Sequence, residues 1–368
     1  MLPDIIDLLK RFSWIIVDFS SDDASIKIIS SGSTEQTIEI DVSSKCFDLI
    51  AKKEEITLII KYMENIDNFT KEKSEELANI AHIFNSVPIM IGEKNRNGAL
   101  NDDILYNRYS INAINFTTFS NILENKEYPR VYSKRGGYFV QLKQKEFKDL
   151  RQSRNLSLND LAKQLNVTPK AIYEYESSSM KTRLAHFEEM AKIFKFHPQE
   201  FLKEFSETID IFVKLYKSNY NVIKDLSGFQ EEIDQRLIDL GFITYWFNKS
   251  PIDMSFEEES RETADKSQEL TVSKSRTVFI SEISSVKEAS VVDLKKAIQR
   301  TEKKLENHVE FLKQFSQVLD KGYDMVVLLD NNLFQDSSHV HGVPIVHESE
   351  IPSDATKLKK IISERKVT

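Results

Sequence analysis

Residues 156–176 run Leu156-Ser157-Leu158-Asn159-Asp160-Leu161-Ala162-Lys163-Gln164-Leu165-Asn166-Val167-Thr168-Pro169-Lys170-Ala171-Ile172-Tyr173-Glu174-Tyr175-Glu176. Their spacing predicts two short helices joined by a tight turn. Ser157 is placed to cap the first, with Asp160 three residues on to complete a capping box. Leu158, Leu161, Ala162 and Leu165 share one face at helical spacing, and the small Ala162 lets a second helix cross closely. Asn166 stands in the turn, where the backbone goes left-handed and asparagine is the residue next best to glycine. Thr168 caps the second helix, and Pro169 takes its first position, where a missing N–H costs nothing. Ile172 and Tyr175 turn inward. Pro169, Lys170, Tyr173 and Glu174 are left facing out.

This pattern resembles the phage repressor/Cro (xenobiotic-response-element) helix-turn-helix family, over Gln144 to Phe205. The resemblance implies a first helix from Glu146 to Arg154 and later helices at Arg183–Phe194 and Pro198–Phe205. It also implies a structural pair between Arg151 and Glu176. The second helix, 168–177, becomes a recognition helix whose N-terminal residues reach base edges in the DNA major groove. Thr168, Pro169, Lys170, Tyr173 and Glu174 are then the candidate base or phosphate contacts. Ser157 and Gln164 are candidate backbone contacts, with Lys163 and Arg154 more peripheral. Two departures leave the sequence specificity open. Pro169 stands where a base-reading glutamine is common, and acidic Glu174 is repelled by phosphate unless it meets a base edge.

Charge agrees with that placement. The 368 residues carry a net charge of -8, which argues against coating of nucleic acid by the whole surface. From Lys143 to Arg183 there are nine basic and five acidic residues, a local +4 that leaves -12 for the rest. Basic charge is thus concentrated around the helix pair, the footprint of a module that meets phosphates. Hydrophobic residues make up 40% of the chain, enough for real cores. The single cysteine, Cys46, offers neither a disulfide nor a thiolate metal cluster. No signal-peptide layout and no membrane-length apolar run are seen. The expectation is a cytoplasmic protein with no membrane association and no cofactor.

The flanks read as mixed α/β. In the first third, Ile5–Phe12 and Lys71–Phe84 are helical. Strand-like runs fall at Trp14–Phe19, Ser25–Ile29, Thr37–Val42, Cys46–Ala51, Thr57–Met63 and Val87–Ile91. Ser110–Ile114 and a short helix at Thr117–Leu123 follow, and a strand at Tyr138–Leu142 leads into the centre. The last third shows the same order: helix Glu231–Leu240, strands Phe242–Trp246, Pro251–Phe256 and Thr277–Ile283, helix Val291–Leu319, then strands Asp324–Leu329 and Val343–Val346. Asp253 is placed like Asp48. This order suggests an internal duplication around the central module. The expected fold class is multidomain α/β plus all-α, with a central λ-repressor-like helical domain between two restriction-endonuclease-like α/β domains. The boundaries are 1–130, 131–205 and 206–368, with a polar insertion at 257–275.

A restriction-endonuclease-like site needs two carboxylates for a metal and a lysine to assist water. Asp48 and Lys61 stand at two of those places, but the acid two residues before the lysine is replaced by Ile59. In the second unit Asp253 remains, with Phe279 and Ser281 at the other places. His339, His341 and His347 are the only histidine cluster. His339 and His341, two apart, would share one face of a strand as a metal pair needs. Asp336-Ser337-Ser338 and Gly342 read instead as a loop before a strand, with no cysteine and no spaced partner. Gly136-Gly137 forms a turn before Tyr138, not a phosphate-cradling loop. The 23 phenylalanines sit at core spacing.

Over residues 40–200 the chain is similar to a family of archaeal helix-turn-helix transcriptional regulators. The residues that carry the similarity are Cys46–Ala51, Ile60-Lys61, Asn65–Asp67, Ala81-His82, Ile91–Glu93, Asn97-Gly98, Tyr106, Arg108-Tyr109, Ala113–Asn115 and Gly136-Gly137, with the helix pair itself. It implies a regulator of transcription with degenerate nuclease-like flanks. The expected partner of the helix pair is double-stranded DNA, bound as a homodimer because paired half-sites supply affinity that one small module lacks. The alternatives are a metal-dependent DNA nuclease using Asp48 and Lys61, and a protein-binding adaptor or antitoxin-like partner.

Overall fold

The computed structural model describes residues 1–20, 25–29, 36–39, 46–54, 56–177, 182–196, 201–202, 226, 228–247, 250, 252–258, 278–284, 291–318, 323–329 and 333–366. By proximity the described residues form two units. One takes those of Met1–Leu8, Ile60–Ser74 and Val87–Tyr216; the other takes those of Leu9–Ile59, Glu75–Ser86 and Lys217–Thr368.

The first third holds α1 (Leu2–Arg11), β1 (Ile15–Asp18), β2 (Ser25–Ile29), β3 (Gln36–Glu39), β4 (Leu49–Lys53) and β5 (Ile56–Asn65). Then come α2 (Lys71–Ile83), β6 (Val87–Asn95), β7 (Gly98–Ala99), β8 (Ile104–Arg108), β9 (Ile111–Ile114) and α3 (Phe116–Asn125). The apolar runs of β4 and β6 are buried from their first residues, as strands covered on both faces must be. The strand expected from Cys46 begins only at Leu49, and the one expected from Thr57 to Met63 runs on to Asn65.

The last third holds α8 (Phe229–Asp239), β13 (Phe242–Trp246), β14 (Met254–Glu258), β15 (Val278–Ser284), α9 (Val291–Val318), β16 (Tyr323–Leu329), β17 (His339–Val340), β18 (Val343–His347) and α10 (Ala355–Arg365). Its strand order, β17-β18-β16-β15-β14-β13, repeats the order β8-β9-β6-β5-β4-β1 of the first third. Pair directions repeat too. β1–β4 and β13–β14 are antiparallel, β6–β9 and β16–β18 are parallel, and β8–β9 and β17–β18 are antiparallel. A backbone hydrogen bond recurs at the matched aspartates: Phe19 N donates to Asp48 O at 2.8 Å, and Phe247 N to Asp253 O at 2.9 Å. The duplication read from element order is therefore present in topology and in register. Two details differ from expectation. β14 carries through to Glu258, so the polar stretch expected from Glu257 starts inside a strand. Residues 259–277 lie outside the described ones.

The centre contains β10 (Val131–Lys134), β11 (Gly137–Val140), α4 (Gln144–Ser153), α5 (Leu158–Gln164), α6 (Pro169–Ser177), β12 (Thr182–Arg183) and α7 (Leu184–Phe194). Its core is built from Phe147, Leu161, Ile172, Phe187 and Phe194 with Val140 of β11. β10 lies parallel to β8, β11 is antiparallel to β10, and β12 to β11. The helical module is thus joined to the preceding α/β fold by a continuous ladder. The helix expected at Pro198–Phe205 falls mostly outside the described residues; within it, Leu202 bridges Leu142.

In the last third, Arg365 at the end of α10 donates to both oxygens of Glu350, at 2.6 and 2.8 Å. Those hydrogen bonds hold the Glu350 carboxyl down to about 2. A carboxyl whose folded value is depressed contributes stability at pH values above its unfolded titration. That contribution is lost as pH falls through the folded value. An Arg365→Met variant is expected to melt below the parent at pH 7, with the gap shrinking steadily from pH 5 to pH 2. A gap that stays constant across thermal melts in that range overturns this assignment.

Candidate nucleic-acid interface

The helix pair forms because each end is satisfied locally. Ser157 Oγ accepts from Asp160 N at 3.1 Å, Ser157 N donates to Asp160 Oδ2 at 3.1 Å, and the Ser157 hydroxyl donates to the same oxygen at 2.5 Å. These bonds from Ser157 hold the Asp160 carboxyl below the usual carboxylate range. α5 ends in a turn with Asn166 at φ 51°, a conformation that asparagine tolerates better than most residues. Thr168 Oγ1 then accepts from Ala171 N at 3.2 Å, which caps α6 and leaves the hydroxyl hydrogen of Thr168 to point elsewhere.

Packing fixes which face of α6 is presented. Ile172 is fully buried and Tyr175 nearly so, against Leu161 and Ala162 of α5. Burial pushes the Tyr175 phenol up from its ordinary value. Arg151 of α4 locks the end of α6. Its Nε donates to Glu176 Oε1 at 2.5 Å and its Nη2 to Oε2 at 2.9 Å. A third bond runs from Nη1 to Leu156 O at 2.6 Å. The glutamate raises the already high guanidinium value further. Each of the three guanidinium nitrogens is engaged inside the module, so Arg151 is structural.

The sequence-derived candidates divide cleanly. Thr168, Pro169, Lys170 and Tyr173 are exposed together at the start of α6. Tyr173, at 58%, is the most exposed large hydrophobic side chain among the described residues. Lys170 is 82% exposed and lies 3.8 Å from Glu174. Glu174 is half-buried, so its carboxylate partly neutralises the lysine that phosphate or guanine would attract. Gln164 is exposed at the end of α5. Ser157 is exposed as well, but its N–H and hydroxyl hydrogen are both given to Asp160. Lys163 and Arg154 are exposed beside them, with Arg154 Nη2 3.5 Å from Phe194 O.

The nuclease-like places look different. Ile59, which stands where the second acid belongs, is fully buried in β5. Asp48 precedes β4 and Lys61 is half-buried in β5. Among the described residues no group of three His, Cys, Asp or Glu side chains could hold a metal ion. The place of the second carboxylate is taken by the apolar, buried side chain of Ile59. The histidines do not converge on one point. His347 Nε2 lies 2.7 Å from Leu333 O and its Nδ1 3.2 Å from Glu350. His341 faces Glu310 at 3.7 Å, and His339 is exposed.

Residues 147–201 match the family model described as Helix-turn-helix, and residues 22–129 match that of a PD-(D/E)XK superfamily domain. A "Putative HTH-type transcriptional regulatory protein" of Methanocaldococcus jannaschii is 34% identical over 56% of this chain and 63% of its own length. Relatives of the same description from Methanococcus vannielii and Methanobrevibacter smithii are 36% and 32% identical. They are covered over 68% and 90% of their lengths, and cover 60% and 87% of this chain. The chain belongs to this family. This member joins a PD-(D/E)XK domain to a helix-turn-helix domain. No solved structure matches the chain. No described helix of this family member is long and apolar enough to cross a membrane.

Sequence reading missed β12. Two residues give no periodic signal; only Arg183 beside Phe139 and Thr182 beside Val140 reveal the strand.

Removing one partner of a buried ion pair strands the other. Glu176→Ala is expected to cost about 3–5 kcal/mol in urea denaturation, with Glu176→Gln milder. A loss below about 1 kcal/mol, the value of an exposed pair, would show Arg151 to be hydrated in solution.

Proposed function

We propose that the protein is a sequence-specific DNA-binding transcriptional regulator that lays α6 in the major groove of double-stranded DNA. One observation carries this reading. The Asn166 turn and the Arg151–Glu176 lock present Thr168, Pro169, Lys170 and Tyr173 outward at the N-terminal end of one rigid helix. That end is the part of a recognition helix that reaches base edges. Lys170 donates to guanine or to phosphate, Thr168 and Tyr173 donate hydroxyl hydrogens, and Pro169 offers only an apolar contact to a thymine methyl. Glu174 accepts from a cytosine amino group once Lys170 turns to the DNA. Ser157 and Gln164 lie toward the backbone. The reading has a homodimer acting in the cytoplasm, because paired half-sites supply the affinity that one small module lacks.

Selection from a randomised duplex library is expected to enrich one motif, as two half-sites about one helical turn apart. Lys170→Ala/Tyr173→Ala is expected to lose that enrichment. Enrichment that survives the double variant overturns the assignment of α6 as the reader.

The PD-(D/E)XK match raises a second reading, a metal-dependent nuclease. The buried Ile59 in place of the second acid argues against it. Supercoiled plasmid is expected to stay intact with the protein and millimolar magnesium or manganese. Cleavage that Asp48→Ala abolishes would establish the nuclease instead.

A further inference from the structure

We propose that the β10–β11 hairpin is a second DNA-contacting element, in which Lys134 and Arg135 bind backbone phosphates beside the site read by α6. The inference rests on the DNA-binding reading above and adds a surface that the helix-turn-helix motif does not contain.

The hairpin is a tight two-residue turn, Arg135–Gly136, closed by the pair Lys134–Gly137. Gly136 and Gly137 sit at φ 102° and 125°, a region closed to most other residues. A Cβ at either would meet nothing within 4 Å. Packing against a neighbour therefore does not explain the two glycines. They allow the turn and keep its tip narrow. Lys134, Arg135 and Tyr138 are exposed around that tip. Neither cation makes an ion pair with a described residue; Lys134 Nζ lies only over the Tyr132 ring, 5.5 Å from its centroid. Tyr132 in turn stacks on Phe139 at 5.8 Å. Tyr132, Lys134 and, across the ladder, Phe139 and Arg183 share one face of the ribbon, because opposed and alternate residues point the same way.

The ladder ties this ribbon to the reading helix. β12 follows α6 in the chain and pairs Arg183 with Phe139. Val140, at the base of β11, is buried in the same core as Ile172 and Tyr175 of α6. β12 pairs no further than Phe139, so the tip runs on past the last shared pair by about 7 Å at strand rise. The result is a cationic prong, rigidly indexed to α6, in a protein whose net charge is negative. Phosphate is the ligand that two unpaired cations on a slim, side-chain-poor tip suit.

The test compares the full chain with Lys134→Ala/Arg135→Ala and with Lys170→Ala/Tyr173→Ala. Affinities are measured on the selected duplex and on a scrambled duplex from 50 to 200 mM salt. Each lost phosphate contact lowers the slope of log K against log salt by about 0.9. The hairpin variant is expected to lose about 1.8 in slope on both duplexes, about a tenfold smaller decline over that range, with its preference for the selected duplex unchanged. An unchanged slope, or a loss confined to the selected duplex, overturns the hairpin proposal while leaving α6 as reader. If the parent binds neither duplex, both readings fall. If the α6 variant keeps its preference, α6 fails as reader, and the hairpin stands where its own variant lowers the slope on both duplexes. Lys134→Glu/Arg135→Glu, at the same exposed positions, is expected to weaken both duplexes further.

Discussion

The buried contact between Arg151 and Glu176 is the constraint on which the rest of the central module depends. Two charges are taken out of water, which costs several kcal/mol per ion unless geometry restores it. Here the fork meets both carboxylate oxygens, and its remaining nitrogen closes on Leu156 O. Three segments are thereby fixed at one point: α4, the loop before α5, and the end of α6. An apolar pair would bury as much surface but would not set the rotation of α6 about its axis. The bidentate pair does, and rotation decides which residues face out. The outward set at Thr168, Pro169, Lys170 and Tyr173 is a consequence of a pair that itself touches no ligand.

Around that module the chain repeats one α/β plan. The repetition is visible in strand order, in pair direction and in the recurrent Phe–Asp backbone bond. Both copies keep the aspartate before the second core strand. Neither keeps the full acid–x–lysine run that follows in this fold: Ile59 replaces the acid in one, and Phe279 and Ser281 stand in the other. A position filled by a fully buried isoleucine has been absorbed into the hydrophobic core. The first copy thus has an architectural task that the structure makes explicit. Its sheet extends through β10, β11 and β12 to hold the helices.

Much of the central site was legible beforehand because its signals are local. Capping boxes, a left-handed asparagine, a proline at the first helical position and apolar residues three or four apart each act within one turn. The same locality explains the strand boundaries that moved. Cys46 and Phe47 are as apolar as Leu49, and composition alone does not say where ladder pairing begins. Glu257 looked like the start of a polar insertion, but it is buried in β14 and accepts from the Tyr245 hydroxyl at 2.9 Å. A strand can carry a glutamate inward when a partner across the sheet supplies the donor, and no local pattern announces such a partner.

By itself the sequence determined the helix pair, its capping and the inward and outward faces of α6, because short-range backbone chemistry specifies them; the Arg151–Glu176 pair followed only from the resemblance to the helix-turn-helix family. The tertiary structure alone decided that β12 exists, that the helical module is stitched into the neighbouring sheet and that Lys134 and Arg135 stand on a prong indexed to α6. Those features arise from pairing between residues such as Phe139 and Arg183, far apart in the chain. Backbone hydrogen bonds between strands carry no side-chain signature, so only the folded arrangement reveals them.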